Sequence, residues 1–291
     1  MPSGAARVIA VDWSGAAGAG AARKVWLAEV AGGRVTRLVG GRAREVVAED
    51  LAACVRSAAA AGAPLAVGLD FAFSLPAWFL DDAGAADAPA LWALAARDGD
   101  RWLACDVPPF WGRAGVGRPA SLTPTRALRA TEREVAAATG LRPASAFKLV
   151  GPDQVGAASV RGMPVLAALR AAGARVWPFD DPAPGVPVVV EIWPRAAYAE
   201  PVTKARADAR AGYLARHAPA LDPEVRAAGE RSDDAFDALT AALAMWDGRA
   251  ALAALPRARS GEERREGRIW WPALPADEPA TGTRPGSSRR A

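Results

Sequence analysis

The stretch RVIAVDWS at residues 7–14 decides the fold, because it is an apolar, strand-forming run that carries a carboxylate, Asp12. Aspartate and glutamate are poor strand residues and are costly to bury without a partner. The same pattern recurs in VGLDF at residues 67–71, which carries Asp70, and in VVVEIW, which carries Glu191. Acids at the ends of neighbouring buried strands need a compensating charge, and a divalent cation held by oxygen ligands is the simplest one.

A helical stretch near the carboxyl end of the chain supplies two further acids. SDDAFDALTAAL at residues 232–243 places Asp234 and Asp237 three positions apart, so both fall on one side of the helix. Its many alanines let the helix backbone lie close to a sheet, which brings both carboxylates towards Asp12. The alternative is that Ser232 or Asp233 caps the helix and that acids in the first turn complement its dipole, and we favour this structural interpretation for Asp233.

Each strand acid also has an ordinary structural interpretation. The glycine-rich loop at residues 15–20 offers hydrogen bonds to Asp12, and backbone amides of the following turn offer them to Asp70. Glu191 has a nearby cation in Arg195, so we weigh a structural ion pair and a functional role for Glu191 evenly.

The composition excludes several classes of protein. The chain has 291 residues, 51% of them hydrophobic, no apolar stretch of membrane-spanning length and no signal-peptide core, so we expect a cytoplasmic protein without a membrane partner. Two cysteines cannot build a disulfide framework or a zinc site, and the single histidine, His217, excludes a multi-histidine metal site. Acid–base chemistry therefore falls to carboxylates, lysine or metal-bound water. Of the net charge of +4, residues 256–291 carry +3 (eight arginines against five acids), so basicity supports nucleic-acid binding only weakly.

The order of the predicted elements indicates an α/β fold. Three strands in a meander are followed by a helix at residues 44–61, which ends at Gly62, and by an apolar strand at residues 64–71. Strand-strand-strand-helix-strand, with acids on the first and fourth strands, is the ribonuclease H-like order. We therefore predict a ribonuclease H-like mixed five-stranded sheet flanked by helices.

A single domain is predicted to cover residues 1–275. A helical and irregular insertion follows the fourth strand, at about residues 75–175, and includes a helix at residues 123–135. The stretch at residues 267–272 is a candidate terminal edge strand. The tail at residues 276–291 is rich in Pro, Gly, Ser and Arg and is predicted to be disordered.

The acidic motifs resemble those of known proteins. Asp12 in IAVDWS, Asp70 in VGLDF and the DAFDAL helix are similar to the acidic residues of Holliday-junction resolvase-type members of the ribonuclease H-like superfamily. More closely, the chain resembles the predicted nucleases called domain of unknown function family 429, over about residues 7–272. Asp70 stands where the resolvases carry Glu. The other matching stretches are FKLVGP from Phe147, QVG from Gln154, GMPVL from Gly162, WPF from Trp177, EIWP from Glu191, DAFDALTAA from Asp234 and EGRIW from Glu266.

The resemblance implies a ribonuclease H-like nuclease, so we expect a metal-dependent hydrolase of nucleic-acid phosphodiester bonds, acting on DNA or RNA. In such a site Asp12 would bridge two Mg²⁺ or Mn²⁺ ions about 4 Å apart, Asp70 would complete the shell of one ion, and Asp234 or Asp237 that of the other. One ion would activate the attacking water and the other would steady the leaving oxygen.

Positive and aromatic residues complete the candidate set. Lys148 and Arg129 are candidates to neutralise phosphate, and Lys148 is the better one because the chain has only three lysines. We interpret Trp13 and Trp193, beside two of the acids, as core residues rather than as platforms for base stacking. The predicted catalytic residues are Asp12, Asp70, Glu191, Asp234, Asp237 and Lys148, and the predicted metal ligands are the four aspartates among them.

Two other functions fit the same residues. A catalytically silent binding or scaffold protein would keep the fold without the reaction. An actin-like phosphotransferase also opens with a strand aspartate before a glycine-containing loop, here DWSG from Asp12, but it needs a second phosphate loop of the type Asp-x-Gly. The stretch from Asp70 is DFAF and lacks that glycine, and no P-loop motif occurs in the sequence.

Overall fold

A seven-stranded mixed sheet flanked by helices forms the centre of the computed structural model, which describes residues 6–18, 20–113, 115–151 and 154–272. The strands are β1 Arg7–Asp12, β2 Trp26–Ala31, β3 Arg34–Gly40, β4 Leu65–Leu69, β5 Arg175–Val176, β6 Val188–Ile192 and β7 Ile269–Trp270. Their order is β3-β2-β1-β4-β6, with β5 and β7 on the outer side of β6. β2 is antiparallel to both of its neighbours, β1 and β3, and the remaining pairs are parallel.

The number of strands differs from the predicted five. β5 pairs with the first half of β6, at Val188 and Val189, and β7 pairs with its last residues, Glu191 and Ile192. The stretches at residues 175–179 and 267–272 are predicted as strands, but each added strand is only two residues long, which is too short for a pattern to show that it pairs with β6. β7 lies within the candidate edge strand at residues 267–272.

Ten α-helices cover the two faces of the sheet in the part of the chain that the structure describes. They are α1 Arg44–Ala61, α2 Ala77–Asp82, α3 Ala88–Leu103, α4 Ala130–Thr139, α5 Val155–Ala171, α6 Ala207–His217, α7 Pro223–Arg231, α8 Asp233–Asp247, α9 Arg249–Ala253 and α10 Gly261–Glu266. Side chains alternate along β1. Ile9 and Val11 join the core beneath α1, α3 and α5, whereas Val8 and Ala10 join the core beneath α8.

Local signals set most helix boundaries. α1 spans the predicted residues and ends at Gly62, whose left-handed backbone (φ 59°) closes the helix. α4 begins at Ala130 rather than at the predicted Thr123. The reason is that Glu132 accepts a hydrogen bond from the backbone N–H of Arg129 (2.5 Å), which fixes the start of the helix there.

The segment predicted as an insertion, residues 75–175, carries helices α2 to α5. Within it α3 packs against α5, and α5 packs against α1, so the segment shares the core of one sheet face. No helix among the described residues is both long and apolar enough to cross a membrane. The tail predicted to be disordered, residues 276–291, lies outside the described residues.

α8 lies very close to the sheet where it crosses β4. Gly68, in the middle of β4, has no side chain, and a Cβ built there would lie 2.5 Å from Met245 Sδ and 2.9 Å from Ile192 Cγ2. Small alanine side chains of α8 fill the rest of this contact. The close approach carries the acids at the start of α8 towards the edge of the sheet.

We expect Gly68→Ala to lower the free energy of unfolding by about 1–3 kcal/mol, because the added methyl group overpacks the contact between β4 and α8. The matched control is Gly117→Ala, since a Cβ at Gly117 meets no atom within 4 Å. Guanidinium unfolding curves of both variants and the unaltered protein measure the two changes. Equal stability of the two variants would contradict the close packing of α8.

Candidate active site

Three carboxylates lie at one edge of the sheet because the strands that carry them are parallel. Asp12 is the last residue of β1, and Asp70 follows the last residue of β4. The backbone N–H of Asp70 donates to the Val11 carbonyl (3.1 Å), so the two strand ends are held side by side. Glu191 on β6 is in register with Leu69 at the end of β4. The sheet topology therefore brings the three strand acids to one place.

α8 adds two more carboxylates to this edge. Ser232 caps the helix and accepts a hydrogen bond from the backbone N–H of Ala235 (3.1 Å). The cap is therefore a serine, and Asp234 and Asp237 extend from the first two turns to the edge of the sheet. Asp237 is almost fully buried, at 3% exposure.

A cavity of about 500 Å³ opens at this edge of the sheet. We call it the carboxylate cavity, because its lining includes Asp12, Asp70, Glu191, Asp234 and Asp237.

Two residues considered from the sequence do not line the carboxylate cavity. Lys148, the sixth predicted catalytic residue, is not among the described residues that line the carboxylate cavity, and its backbone forms a bridge with Trp111. His217 ends α6 beside Glu200 and is also outside that lining. The structure thus gathers the five predicted acids around one cavity, whose lining does not include Lys148.

Burial makes the charged forms of these acids unfavourable. It raises the pKa of Asp12 well above its usual range, and the negative charges of Asp237 and Asp70 raise it further. The pKa of Asp70 rises to about 7, through burial first and through Asp237 second. Burial also raises the pKa values of Asp234 and Asp237. The carboxylates therefore share a site that holds too little positive charge for all of them.

A lysine and a tyrosine from one loop contact Asp237. Lys204 Nζ forms an ion pair with Asp237 Oδ2, and the Tyr198 hydroxyl donates to Asp237 Oδ1. Burial alone would lower the pKa of Lys204, but the charges of Asp237 and Asp12 raise it above the usual range. Lys204 is therefore a firmly protonated counter-ion inside the site.

The second lysine at the carboxylate cavity is Lys24, whose Nζ lies 3.3 Å from Asp234 Oδ2. Two of the three lysines of the chain thus line the cavity, and sequence reasoning predicted neither. The scarcity of lysine is a signal that applies to Lys24 and Lys204 as much as to Lys148. Tyr198 has no such signal, because it lies in a loop that the sequence pattern does not connect to the acids.

Oxygen donors that suit Mg²⁺ or Mn²⁺ are present, but the described residues do not form a closed ion site. No group of three or more histidine, cysteine, aspartate or glutamate side chains among them is arranged to hold a metal ion. In this arrangement Lys204 and Tyr198 contact both oxygens of Asp237. Carboxylates with raised pKa values are nevertheless the hard donors that a divalent cation compensates best. The residues that could hold it are Asp12, Asp70, Asp234 and Asp237.

Glu191 pairs with Arg129 and not with Arg195. The Arg129 guanidinium donates to both Glu191 oxygens (2.5 and 2.9 Å) and to Glu132 Oε1 (2.6 Å), and it is 1% exposed. The backbone N–H of Phe73 also donates to Glu191 (2.9 Å). Arg129 is therefore fully engaged by the protein and is not available for phosphate, contrary to the expectation from sequence.

No family model, curated protein or solved structure matches this chain. The resemblance of its acidic motifs to the family 429 nucleases stays a prediction.

The raised pKa of Asp70 has a measurable effect on stability. Asp70 loses its proton near pH 3.8 in the unfolded chain and near pH 7 in the folded protein, so between these values the folded state holds the extra proton. In metal-free buffer we expect the free energy of unfolding to fall by up to about 1 kcal/mol per pH unit as the pH rises through this range. Asp70→Asn should show a shallower fall. Urea unfolding at intervals across the range measures both slopes, and identical slopes would refute the assignment.

Substitution of Arg129 should lower the stability of the protein, because the acids beside it are buried. We expect Arg129→Met to lower the free energy of unfolding by about 3–5 kcal/mol, because Glu191 and Glu132 stay buried without a cation. The control is Arg97→Met, which breaks the exposed pair of Arg97 with Asp98 and should change stability by less than about 1 kcal/mol. Chemical unfolding measures both, and similar losses in the two variants would show that Arg129 is not required.

Proposed function

We propose that this protein is a divalent-metal-dependent nuclease that hydrolyses nucleic-acid phosphodiester bonds at the carboxylate cavity. One observation carries the proposal. Asp12, Asp70, Asp234 and Asp237 reach a single cavity from β1, the end of β4 and α8, and their pKa values are raised by burial and, at Asp12 and Asp70, also by the negative charge of Asp237. Such a cluster opposes folding, so its presence in a cleft is typical of a functional site.

The strand order supports the same proposal. Three antiparallel strands followed by a helix and a parallel fourth strand are the order expected of a ribonuclease H-like fold. Along the chain, strands β1, β2 and β3 are followed by helix α1 and strand β4, and in the sheet β4 lies parallel to β1. Asp12 is the last residue of β1, and Asp70 follows the last residue of β4. The positions of the acids agree with those expected for a hydrolase of that fold.

The four aspartates are the residues that would hold Mg²⁺ or Mn²⁺. When bound, the metal supplies a water of lowered pKa for attack on phosphorus and stabilises charge on the leaving oxygen. Asp70 must first lose the proton that its raised pKa retains. Lys204 must leave Asp237, and its ammonium then stays at the cavity wall, where it neutralises a phosphate oxygen.

One contact favours a second function, a catalytically silent binding protein. Lys204 and Tyr198 already satisfy both oxygens of Asp237, so that carboxylate needs no metal in order to stay buried. Such a protein would bind its ligand in the same cavity without cleaving it.

We expect Mn²⁺-dependent cleavage of at least one substrate in a panel of labelled single-stranded, duplex and branched DNA and RNA, and no cleavage in EDTA. Asp12→Asn and Asp70→Asn should each lose on the order of 100-fold or more in rate, because each removes a charged oxygen donor. The matched control is Asp247→Asn, an exposed aspartate at the other end of α8, which should keep full activity. Gel-based cleavage assays measure the rates.

Calorimetric titration with Mn²⁺ separates the two functions. Mn²⁺ binding that Asp12→Asn abolishes, together with cleavage that it also abolishes, supports the nuclease. Absence of cleavage on every substrate favours the silent binding protein. Cleavage that survives Asp12→Asn would overturn the proposed site.

A further inference from the structure

A second cavity, of about 400 Å³, lies beside the carboxylate cavity, and Arg195 lines both. One wall of the second cavity is the loop at residues 198–203. The turn after α4 joins the cavities again, since Leu141 lines the second cavity and Arg142 lines the first. The two cavities are therefore neighbours with shared walls.

Arg142 and Arg195 differ from the other arginine at the carboxylate cavity, Arg129, because nothing neutralises them. Both are exposed, and neither makes a hydrogen bond or an ion pair with another residue that the structure describes. Glu191, the acid closest to Arg195 in sequence, is taken by Arg129. A free guanidinium at a cavity wall suits an anion from outside the chain, and its planar fork suits a phosphate group.

The charges of the combined cavities fall into two zones. Acids gather at the edge of the sheet, where Lys24, Lys204 and Arg129 pair with them, while Arg142 and Arg195 supply positive charge at the walls. Glu200, which lines the second cavity, is paired with Arg216. A small anion would be attracted by the arginines and repelled by the acids. A chain of phosphates satisfies both zones, because one phosphate meets the acids through a cation while its neighbours meet the arginines.

Apolar surface lies beside the arginines. Trp193 is partly exposed in the carboxylate cavity, although its ring also packs with Val135 and Trp271. Leu141 and Val202 add apolar surface in the second cavity. Aromatic faces stack on unpaired bases, whereas the bases of a duplex are stacked on one another. The volume of each cavity falls within the range of about 300–1,000 Å³ that is typical of pockets for one small ligand.

We propose that the two cavities form one cleft for an unpaired nucleic-acid strand. Arg195 binds the phosphate between the nucleotide at the carboxylates and the nucleotide in the second cavity, and Arg142 binds a further phosphate at the carboxylate cavity. This inference rests on the proposed function, because it places the cleaved phosphate at the aspartates. It specifies the substrate as a single-stranded segment.

Fluorescence anisotropy with a fluorescein-labelled single-stranded oligonucleotide, in buffer with Ca²⁺ as the cation at the acids, tests the cleft by binding alone. We expect the unaltered protein to bind it, and Arg195→Ala and Arg142→Ala each to weaken binding by roughly 5- to 10-fold. Each variant should also reduce the slope of log affinity against log salt by about 0.7. Arg195→Lys, which keeps the charge and loses the fork, should recover part of the affinity. The matched control is Arg56→Ala, an exposed arginine on α1 that lines neither cavity, and it should bind normally.

A duplex of the same length should bind more weakly than the single strand. Three results would overturn the cleft: no binding of the single strand, equal or tighter binding of the duplex, or unchanged affinity in both arginine variants when their unfolding curves match the unaltered protein. Failure of the nuclease proposal looks different. In that case the strand still binds with the dependence on Arg195 and Arg142, but Mn²⁺ never produces cleavage.

Discussion

Compensation of buried negative charge at one edge of the sheet is the constraint on which the rest of the structure depends. The parallel strands β1, β4 and β6 bring three acids to this edge, and α8 brings two more. Every carboxylate there must find a cation, a set of hydrogen-bond donors or a proton. Glu191 finds Arg129, and Asp237 finds Lys204 and Tyr198. Among the described residues no cation is paired with Asp12 or Asp70 in this way, and burial together with the charge of Asp237 raises the pKa values of both.

The two halves of this edge are compensated in different ways. Around Glu191 the counter-ion is a guanidinium that is 1% exposed and held by three carboxylate oxygens, so it is part of the folded framework. Around Asp237 the counter-ion is the ammonium of Lys204, whose side chain is 44% exposed. A buried arginine cannot be exchanged without local unfolding, whereas a half-exposed lysine can swing into solvent. Both halves line the carboxylate cavity, and only the half around Asp237 has a counter-ion that can move into solvent.

Much of the framework follows from patterns within single elements. The apolar run that ends at Asp12, the helix that ends at Gly62 and the serine-capped helix that carries Asp237 are each specified by their own residues. Convergence of the strand acids follows as well, because the ends of parallel strands meet at one sheet edge. The sequence also predicts strands at residues 175–179 and 267–272, which contain β5 and β7. It could not predict that only two residues of each pair with β6, because pairing depends on the folded chain.

Ion pairs between residues that are far apart in the chain could not be predicted from the sequence. Arg129 lies 62 positions from Glu191, while Arg195 lies only four away, so proximity in the chain favoured the wrong partner. Asp237 and Lys204 are 33 positions apart, and Lys204 lies in a loop without periodicity. The sequence pattern predicts the start of α4 too early. The hydrogen bond that fixes this start is accepted by Glu132, inside the helix, and does not involve the Thr-Pro pair ahead of it. Pairing partners depend on the folded path of loops, which local patterns do not encode.

The loop from Tyr198 to Lys204 contacts Asp237 through its first and last residues. The same loop lines the second cavity. A divalent ion that takes Asp237 must loosen these contacts, and the loop then shapes the second cavity differently. Thermodynamic linkage requires the converse: a strand that moves the loop changes the affinity for the ion by the same factor. If the protein binds an ion and a strand as proposed, the two binding events are reciprocal and are joined through a single stretch of seven residues.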